Sequence, residues 1–182
     1  MISKIFENPQ TTPEIDTIFS NIKDDLKAPF VPNFFKVWGD APESLAGIFP
    51  VMKHILASGK LDRQLKEMIM LAVSSSKQCN YCVAAHQGFA KMAGVSDEAI
   101  ATLKANSSIT TEGFEKDKAA IDFAVQLAEN PKSNTPEKVD HLKSVGFNKE
   151  EILEIIAVSG MSIFYNHLAD ATQINIDDTF KS

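Results

Sequence analysis

The sequence is poor in residues that several common functions need. Cysteine occurs only twice in 182 residues, which excludes a framework of several disulfides. Arg63 is the only arginine among 18 basic residues and the net charge is -6, which argues against nucleic acid as a partner. No stretch approaches the ~20 apolar residues of a membrane span, and Met1–Pro9 has no apolar signal-peptide core. We therefore expect a cytoplasmic protein that binds neither nucleic acid nor a membrane.

Capping signals predict helices along nearly the whole chain. Proline follows an N-cap at Thr12-Pro13 and Thr135-Pro136, Asp62 and Ser96 are further N-caps, and Asn148 with Glu151 fits a capping box. No convincing alternating strand pattern is present, and Ser107–Thr111 is too short to build a sheet. The predicted helices cover about residues 13–26, 42–58, 63–73, 79–92, 97–104, 115–128, 136–145 and 148–171.

The length favours a single domain over residues 1–182, so we predict one all-α helical bundle. Leu71–Ser74 and Ile156–Ser159 sit alike within two apolar helices, which hints at an internal helical repeat. The second copy has no cysteine. If the repeat is real, only the first half of the chain carries the chemistry.

The clearest chemical pattern is Cys-x-x-Cys with a histidine four residues later. Cys82 and His86 are four apart, so on a helix their side chains share a face within reach of each other. Cys79 lies one turn earlier, where the partial positive charge of a helix N-terminus favours a thiolate. One cysteine would be the nucleophile and the other would resolve it, with His86 as the base for Cys82. Glu67, on the preceding helix, could orient His86 if the two helices fold back on each other.

Other interpretations of these residues stay open. Cys79 and Cys82 could be two small buried residues, and Glu67 alone is most simply a solvated helix residue. The four side chains also match zinc ligands in type, but structural zinc sites usually show a second tight ligand pair. We predict neither a metal site nor a cofactor site.

Further polar and aromatic residues are weaker candidates. His54 and His141 are expected at the surface or as satisfied core residues. A polar patch late in the last helix is explained most simply by helix-end solvation, with a site or subunit contact as the alternative: Asn166, His167 and Asp170. A dense aromatic segment predicts core packing first and a subunit contact second: Phe30, Phe34, Phe35 and Trp38.

The spacing Glu-x11-Cys-x-x-Cys-x3-His resembles the alkylhydroperoxidase D branch of the carboxymuconolactone decarboxylase superfamily. Leu61–Glu67, Leu71–Ser74 and Cys79–His86 are similar to its peroxidase-related subgroup. The similarity extends to three flanking stretches and covers roughly residues 25–175: Val31–Phe35, Ala41–Glu43 and Phe164–Asp170.

The resemblance implies an all-helical homo-oligomer, often a trimer or hexamer, that reduces organic hydroperoxides. It implies that Cys79 and Cys82 are the redox pair, His86 the proton acceptor and Glu67 the far end of a proton relay. Tyr81 departs from members that carry histidine before the second cysteine; it can donate a hydrogen bond but is a poor base at neutral pH. The decarboxylase branch lacks the cysteine pair, which disfavours lactone decarboxylation.

The sequence thus predicts an oxidoreductase, a thiol-dependent peroxidase that acts in antioxidant defence through a Cys79–Cys82 disulfide. Organic hydroperoxides, and hydrogen peroxide as a further substrate, would be reduced, and a dithiol, a thioredoxin-like protein or a lipoyl group would restore the thiols. A disulfide reductase and a non-catalytic redox sensor or interaction module that use the same cysteines are the alternatives.

Overall fold

A computed structural model of the chain describes residues 12–26 and 29–181. These residues form α-helices and short turns without any β-strand, which confirms the predicted all-α class. The prediction about Met1–Pro9 lies outside the described residues. The helices are α1 Pro13–Leu26, α2 Asn33–Lys36, α3 Pro42–Ala57, α4 Arg63–Ser76, α5 Asn80–Met92, α6 Asp97–Asn106, α7 Glu115–Glu129, α8 Pro136–Ser144 and α9 Lys149–Thr172.

The predicted N-caps begin the helices by satisfying backbone N–H groups that have no partner within the helix. Asp62 accepts the N–H of Leu65 at 2.8 Å at the start of α4. Asn148 and Glu151 form the reciprocal capping box of α9, with N···O distances of 3.0 and 2.7 Å. These local bonds explain why the predicted helix starts agree closely with the structure.

Helix α4 is the centre of the fold, since every residue from Leu65 to Ser74 is buried. It packs against α5, α6, α7 and α9. Ser74 donates to the Asn166 side chain, and Ser162 donates to the carbonyl of Met70. Both contacts join residues 92 apart, so α4 and α9 run parallel to each other. The proposed internal repeat stays a prediction.

A tight reversal between α4 and α5 brings the predicted site residues onto facing helices. Gln78 adopts a left-handed conformation with φ of 58°, and the N–H of Cys79 donates to the carbonyl of Ser74 at 3.1 Å. Helix α5 therefore runs back along α4. At the far end of this pair, Gln64 donates to the carbonyl of Ala93 at 2.8 Å.

The C-terminal residues after α9 fold over α5. Asp177 is buried there and Phe180 packs edge-on against Phe89 at a centroid distance of 5.3 Å. Gly88 permits this approach, because a Cβ at that position would lie 3.1 Å from the Phe180 ring. The tail thereby covers one side of the helix that carries the cysteine pair.

Three predictions need correction. Cys79 is the N-cap of α5 and not its first helical residue. Residues 33–36 form a short helix that the sequence did not indicate. Among the described residues, α9 has the length and apolar composition of a membrane-spanning helix, so the prediction that no segment approaches one is too strong. Half of its most apolar window is buried against the rest of the fold.

Candidate active site

The two cysteines lie together at the N-terminus of α5 as free thiols. The sulfur of Cys79 accepts the backbone N–H of Cys82 at 3.4 Å, so the cysteine itself caps the helix. Cys79 is fully buried and Cys82 is 2% exposed. This position combines the partial charge of the helix N-terminus with one N–H directed at the Cys79 sulfur, an environment that stabilises a thiolate.

Cys82 is held as a thiol at rest. Its hydrogen bond to Cys79 raises the pKa of Cys82 well above the ordinary cysteine value, and burial raises it further. The negative charges of Cys79 and Asp170 act in the same direction, and only a backbone hydrogen bond opposes them. Cys82 therefore needs a base before it can act as a nucleophile at neutral pH.

His86 and Glu67 form a buried pair across the α4–α5 interface. The Nδ1 atom of His86 lies 2.8 Å from Oε2 of Glu67. Glu67 is fully buried and His86 is 6% exposed. A carboxylate only accepts hydrogen bonds, so Nδ1 carries the proton and Nε2 is left to accept one from a thiol. The structure thus brings together the contact that the sequence left conditional.

The second oxygen of Glu67 faces Arg63, one turn earlier on α4. The guanidinium lies 2.5 Å from Oε1, an ion pair that lacks the alignment of a hydrogen bond. Arg63 is 41% exposed, so it stands between solvent and the buried carboxylate. Sequence reasoning noted Arg63 only for its rarity, although its i,i+4 spacing from Glu67 was a usable signal.

Tyr165 of α9 holds the ring of His86 from the other side. The two rings are stacked with centroids 6.1 Å apart and planes inclined by 18°. Burial raises the pKa of Tyr165 far above its usual value, and the charge of Glu67 adds to the effect, so the phenol stays neutral. No sequence pattern singled out Tyr165, because it approaches His86 only through the packing of α9 on α5.

The cysteine and the histidine open into one cavity of about 520 Å³. Cys82, His86 and Glu67 lie on its wall, whereas Cys79 is not among the lining residues. The remaining wall is mostly aromatic and aliphatic: Phe34, Phe35, Phe49, Met52, Phe89 and Met92. Of the aromatic segment predicted as core, Phe34 and Phe35 are buried and also form this wall, while Phe30 and Trp38 are half-buried.

Tyr81 connects three separate parts of the chain. Its hydroxyl donates to Oδ2 of Asp177 at 2.8 Å and accepts the N–H of Phe34 at 3.1 Å. Asp177 also accepts the N–H of Asn33, at 3.0 and 3.1 Å to its two oxygens. Burial and the charge of Asp177 raise the pKa of Tyr81 far above its ordinary value. Tyr81 therefore donates a hydrogen bond, as the sequence allowed. Its acceptor is Asp177, which joins separate parts of the fold and is not one of the predicted catalytic residues.

The weaker candidates separate clearly. His54, His141, His167 and Asp170 are exposed, as expected of surface residues. Asn166 is only 4% exposed and accepts a hydrogen bond from Ser74 at 3.0 Å, so solvation at the helix end is the wrong explanation for it. No group of three or more His, Cys, Asp or Glu side chains within residues 12–26 and 29–181 is arranged to hold a metal ion.

Comparison with known proteins identifies the fold and finds a similar family. A model of the "Carboxymuconolactone decarboxylase family" matches residues 42–126, from α3 into α7 and including all four predicted site residues. The chain is similar to this family over that region, which is a little under half of its length. The uncharacterised protein YdfG of Bacillus subtilis strain 168 is 21% identical over 131 residues, which is 72% of this chain and 88% of YdfG.

Solved structures show that the chain has the alkylhydroperoxidase D fold. A peroxidase-related protein of Silicibacter sp. TM1040 is 23% identical over 96% of this chain and 92% of its own, with a TM-score of 0.85. An alkylhydroperoxidase D core protein of Ralstonia eutropha JMP134 is also 23% identical, over 93% and 88%, with a TM-score of 0.84.

A third similar structure is the debrominase Bmp8. It is 23% identical over 93% of this chain and 89% of its own, with a TM-score of 0.76. A variant of that debrominase with a cysteine replaced by alanine has been crystallised with 2,3,4-tribromopyrrole. The similarity to Bmp8 shows that the two chains share a fold.

Proposed function

We propose that this protein is a thiol-dependent peroxidase that reduces organic hydroperoxides through a Cys79–Cys82 disulfide. The observation that carries the proposal is the opening of Cys82 and His86 into one apolar cavity, with Cys79 directly behind Cys82. The nucleophile Cys82 is thereby about one helical turn from each of its partners, the base His86 and the resolving thiol Cys79, and the cavity offers space for a substrate.

The reaction would begin with transfer of the Cys82 proton to Nε2 of His86. The Cys82 thiolate attacks the distal oxygen of the hydroperoxide and breaks the O–O bond. The product alkoxide takes up a proton and leaves as an alcohol, and Cys82 becomes a sulfenic acid. The Cys79 sulfur then attacks Cys82, the disulfide forms and water leaves. Cys82 is the attacking residue in this scheme because it lines the cavity and Cys79 does not.

Organic hydroperoxides suit the cavity better than hydrogen peroxide does. The aromatic wall offers apolar surface to an alkyl or aryl group, whereas hydrogen peroxide would leave that surface unused. We expect the enzyme to prefer cumene hydroperoxide over hydrogen peroxide in kcat/KM by about tenfold to a hundredfold, the amount that ~1–3 kcal/mol of apolar contact supplies.

Regeneration requires two electrons from an external dithiol. Thiol–disulfide exchange with a dithiol, a thioredoxin-like protein or a lipoyl group would reduce the Cys79–Cys82 disulfide and oxidise the donor. We also propose that the protein acts in the cytoplasm, where such donors keep thiols reduced.

Steady-state consumption of cumene hydroperoxide with dithiothreitol tests this function. Wild type should turn over, whereas Cys82→Ser should not react. In the absence of dithiothreitol, Cys79→Ser should reduce one equivalent of peroxide, leave a sulfenic acid that dimedone traps, and stop. His86→Gln removes the proposed base. His54→Gln is its matched control, because His54 is an exposed histidine outside the cavity.

Other outcomes would favour the alternatives. Rapid reduction of a small disulfide with little peroxide turnover would favour a disulfide reductase. Formation of the disulfide in a single event without turnover would favour a redox sensor. Thiols that do not react with peroxide in the folded protein would contradict the proposal altogether.

A second candidate is reductive debromination, which the similarity to Bmp8 and the aromatic wall of the cavity favour. The same dithiol would supply the electrons: a carbon–bromine bond is replaced by carbon–hydrogen, bromide leaves, and Cys79 and Cys82 form a disulfide. Incubation of the reduced protein with 2,3,4-tribromopyrrole would release bromide if this activity is present. Bromide release without peroxide turnover would replace the first proposal by the second.

We further propose that the chain assembles as a homo-oligomer, a trimer or hexamer, through α9. Leu153 and Ile156 are 58% and 38% exposed and lie three residues apart on this helix, so they share a face and can form one apolar patch of the kind that marks an interface. Light scattering should give a mass of three or six chains. Leu153→Asp combined with Ile156→Asp should reduce it, and a wild-type mass of one chain would contradict the proposal.

A further inference from the structure

Arg63 occupies a position that helix formation does not favour for it. It is the first residue of α4, where the partial positive charge of the helix N-terminus disfavours a cation. It also precedes Glu67 by four residues, the less favourable order for an ion pair along a helix. The stability of α4 alone therefore does not give the reason for this arginine, whose guanidinium also donates to the carbonyl of Leu56 on α3 at 3.4 Å.

The contacts of Arg63 indicate that reason. Its guanidinium lies 2.5 Å from Oε1 of Glu67, while Oε2 of the same carboxylate faces Nδ1 of His86 at 2.8 Å. Glu67 is fully buried, and Arg63 is the cation that accompanies it from the solvent side. Arg63 and His86 thus share one carboxylate, and both line the cavity that holds Cys82.

We propose that Arg63 is a positioning residue that acts through Glu67 to set the pH above which His86 can accept the proton of Cys82. The proposal rests on the proposed function for the reaction that it serves. Arg63 itself touches neither the reacting sulfur nor the peroxide in this scheme. Its effect on chemistry passes entirely through the Glu67–His86 pair.

The direction of the effect follows from charge. When the Glu67–His86 pair takes up one further proton, His86 becomes an imidazolium and can no longer act as a base. The positive charge of Arg63 opposes that uptake, because its ion pair with Oε1 offsets the negative charge by which Glu67 would stabilise an imidazolium. Without Arg63 the pair would hold the extra proton to higher pH. The rising limb of the pH–rate profile would then move upward.

Other charged groups near the pair do not replace Arg63. From the elements packed around it, the other titratable groups that face the pair and Cys82 are Cys79, Tyr81, Tyr165 and Asp170. None of them is cationic. Lys66, the neighbour of Glu67 on α4, pairs with Glu154 at 3.2 Å, and the Lys53 ammonium on the cavity wall pairs with Asp25 at 2.7 Å.

Histidine-selective NMR tests the proposal without relying on peroxidase activity. The chain has four histidines, so the ring signals of the reduced protein can be assigned with His86→Gln and followed across about pH 5 to 9. Arg63→Gln should raise the titration midpoint of His86 by about one pH unit, which corresponds to a tenfold change in proton affinity. Arg63→Lys should restore most of the wild-type midpoint, because it keeps the charge.

Two comparisons separate this role from a structural one. Lys91→Gln is the charge-matched control, since Lys91 is an exposed cation on α5 that pairs with Asp97 and does not line the cavity; it should leave the midpoint unchanged. In a Glu67→Gln background, Arg63→Gln should cause no further shift, because the carboxylate through which Arg63 acts is gone. Circular dichroism would verify that each variant is folded.

The outcomes distinguish this inference from the proposed function. A midpoint that Arg63→Gln leaves within ~0.3 units, moves downward, or moves equally in the Glu67→Gln background would overturn the role of Arg63. If the NMR midpoint rises as expected while cumene hydroperoxide is not reduced, Arg63 sets the state of His86 for a different reaction. If both the NMR midpoint and the rising limb of the peroxide rate shift together, both proposals stand.

Discussion

Helix α4 contributes one buried charged residue, Lys66 or Glu67, to each of two ion-pair clusters that differ in what completes them. In the first, Lys66 is 1% exposed and pairs with Glu154 of α9, whose side chain is 18% exposed. In the second, Glu67 lies between Arg63 and His86. Lys66 and Glu67 are adjacent in sequence, so their side chains leave α4 in different directions and belong to different clusters.

The Lys66–Glu154 cluster is closed by backbone groups. The Lys66 ammonium donates to the carbonyls of Ile55, at 2.9 Å, and Ser58. Glu154 accepts the N–H groups of Lys60 at 2.6 Å and Leu61 at 3.1 Å. Backbone donors and acceptors do not change protonation at neutral pH. This cluster therefore fixes the loop between α3 and α4 and passes no proton to a neighbouring group.

The Glu67 cluster is closed by side chains and ends at a cavity. Its carboxylate contacts a histidine, the residue type whose charge changes most readily near neutral pH. The histidine faces the same cavity as a thiol that cannot ionise unaided. The comparison teaches that an ion pair between a carboxylate and a cation does not by itself indicate chemistry. A titratable partner that opens onto a cavity does.

The largest expected difference between the two clusters is their effect on the rate of peroxide reduction. Glu67→Gln should lower the rate of cumene hydroperoxide reduction by about 10²–10⁴-fold, the usual contribution of general acid–base catalysis. Glu154→Gln, the same change in the other cluster, should alter that rate by less than about threefold, since Glu154 does not line the cavity. Stopped-flow rates of the two variants measure the difference. Similar losses in both would mean that burial, and not the relay, accounts for the effect.

The second expected difference between the clusters is their contribution to the free energy of unfolding. Lys66→Met should lower the free energy of unfolding by about 3 kcal/mol, at the low end of the cost of breaking a buried ion pair, because Glu154 keeps its N–H donors and some solvent. Arg63→Met, which removes the half-exposed cation of the other cluster, should cost about 1 kcal/mol or less. Urea denaturation of both variants tests this ranking, and a larger loss for Arg63→Met would reverse it.

The third effect uses pH to sharpen the comparison. Burial opposes ionisation of Glu154, but the N–H donors of Lys60 and Leu61, with Lys66, outweigh it and lower the pKa of Glu154 below its ordinary 4.5. A carboxyl whose pKa is lower in the folded state adds stability above its unfolded pKa and loses it as the pH falls through the folded value.

Wild type should therefore lose stability below about pH 4.5 more steeply than Glu154→Gln does. The variant should also be about 2 kcal/mol less stable at pH 7, the usual cost of removing hydrogen bonds to a charged group. Urea midpoints at several pH values give both quantities. Parallel pH curves for the two proteins would show that Glu154 titrates alike in the folded and unfolded states.

The sequence predicts one of these clusters far better than the other, for physical reasons. Helix starts depend on local hydrogen bonds, so Asp62 and Asn148 could be recognised as caps from neighbouring residues alone. The spacing of Cys82 and His86 is local in the same sense. Their contact with Glu67 required the α4–α5 reversal, which the sequence could only make conditional.

The sequence does not predict that Lys66 is buried, because nothing local distinguishes it from an exposed helix lysine. Its partners are carbonyls 8 and 11 residues away and a carboxylate on α9. Asn166 was misread for the same reason, since its partner Ser74 is 92 residues distant. Tyr165 reached the site only through the packing of α9. Each of these positions depends on tertiary contacts that periodicity and capping do not encode.

The smallest expected effect concerns Tyr81, which belongs to neither cluster although it lies between the two cysteines. Its hydroxyl joins the N–H of Phe34 to Asp177, so Tyr81→Phe should cost about 1–2 kcal/mol of stability through the loss of buried hydrogen bonds. Tyr81 lines the cavity, so the rate of peroxide reduction should fall somewhat. The loss should stay below about tenfold, because Tyr81 carries no proton in the proposed relay. Urea unfolding and stopped-flow kinetics on one preparation give both values. A rate loss as large as that of Glu67→Gln, without loss of stability, would instead make the Tyr81 hydroxyl part of the proton path.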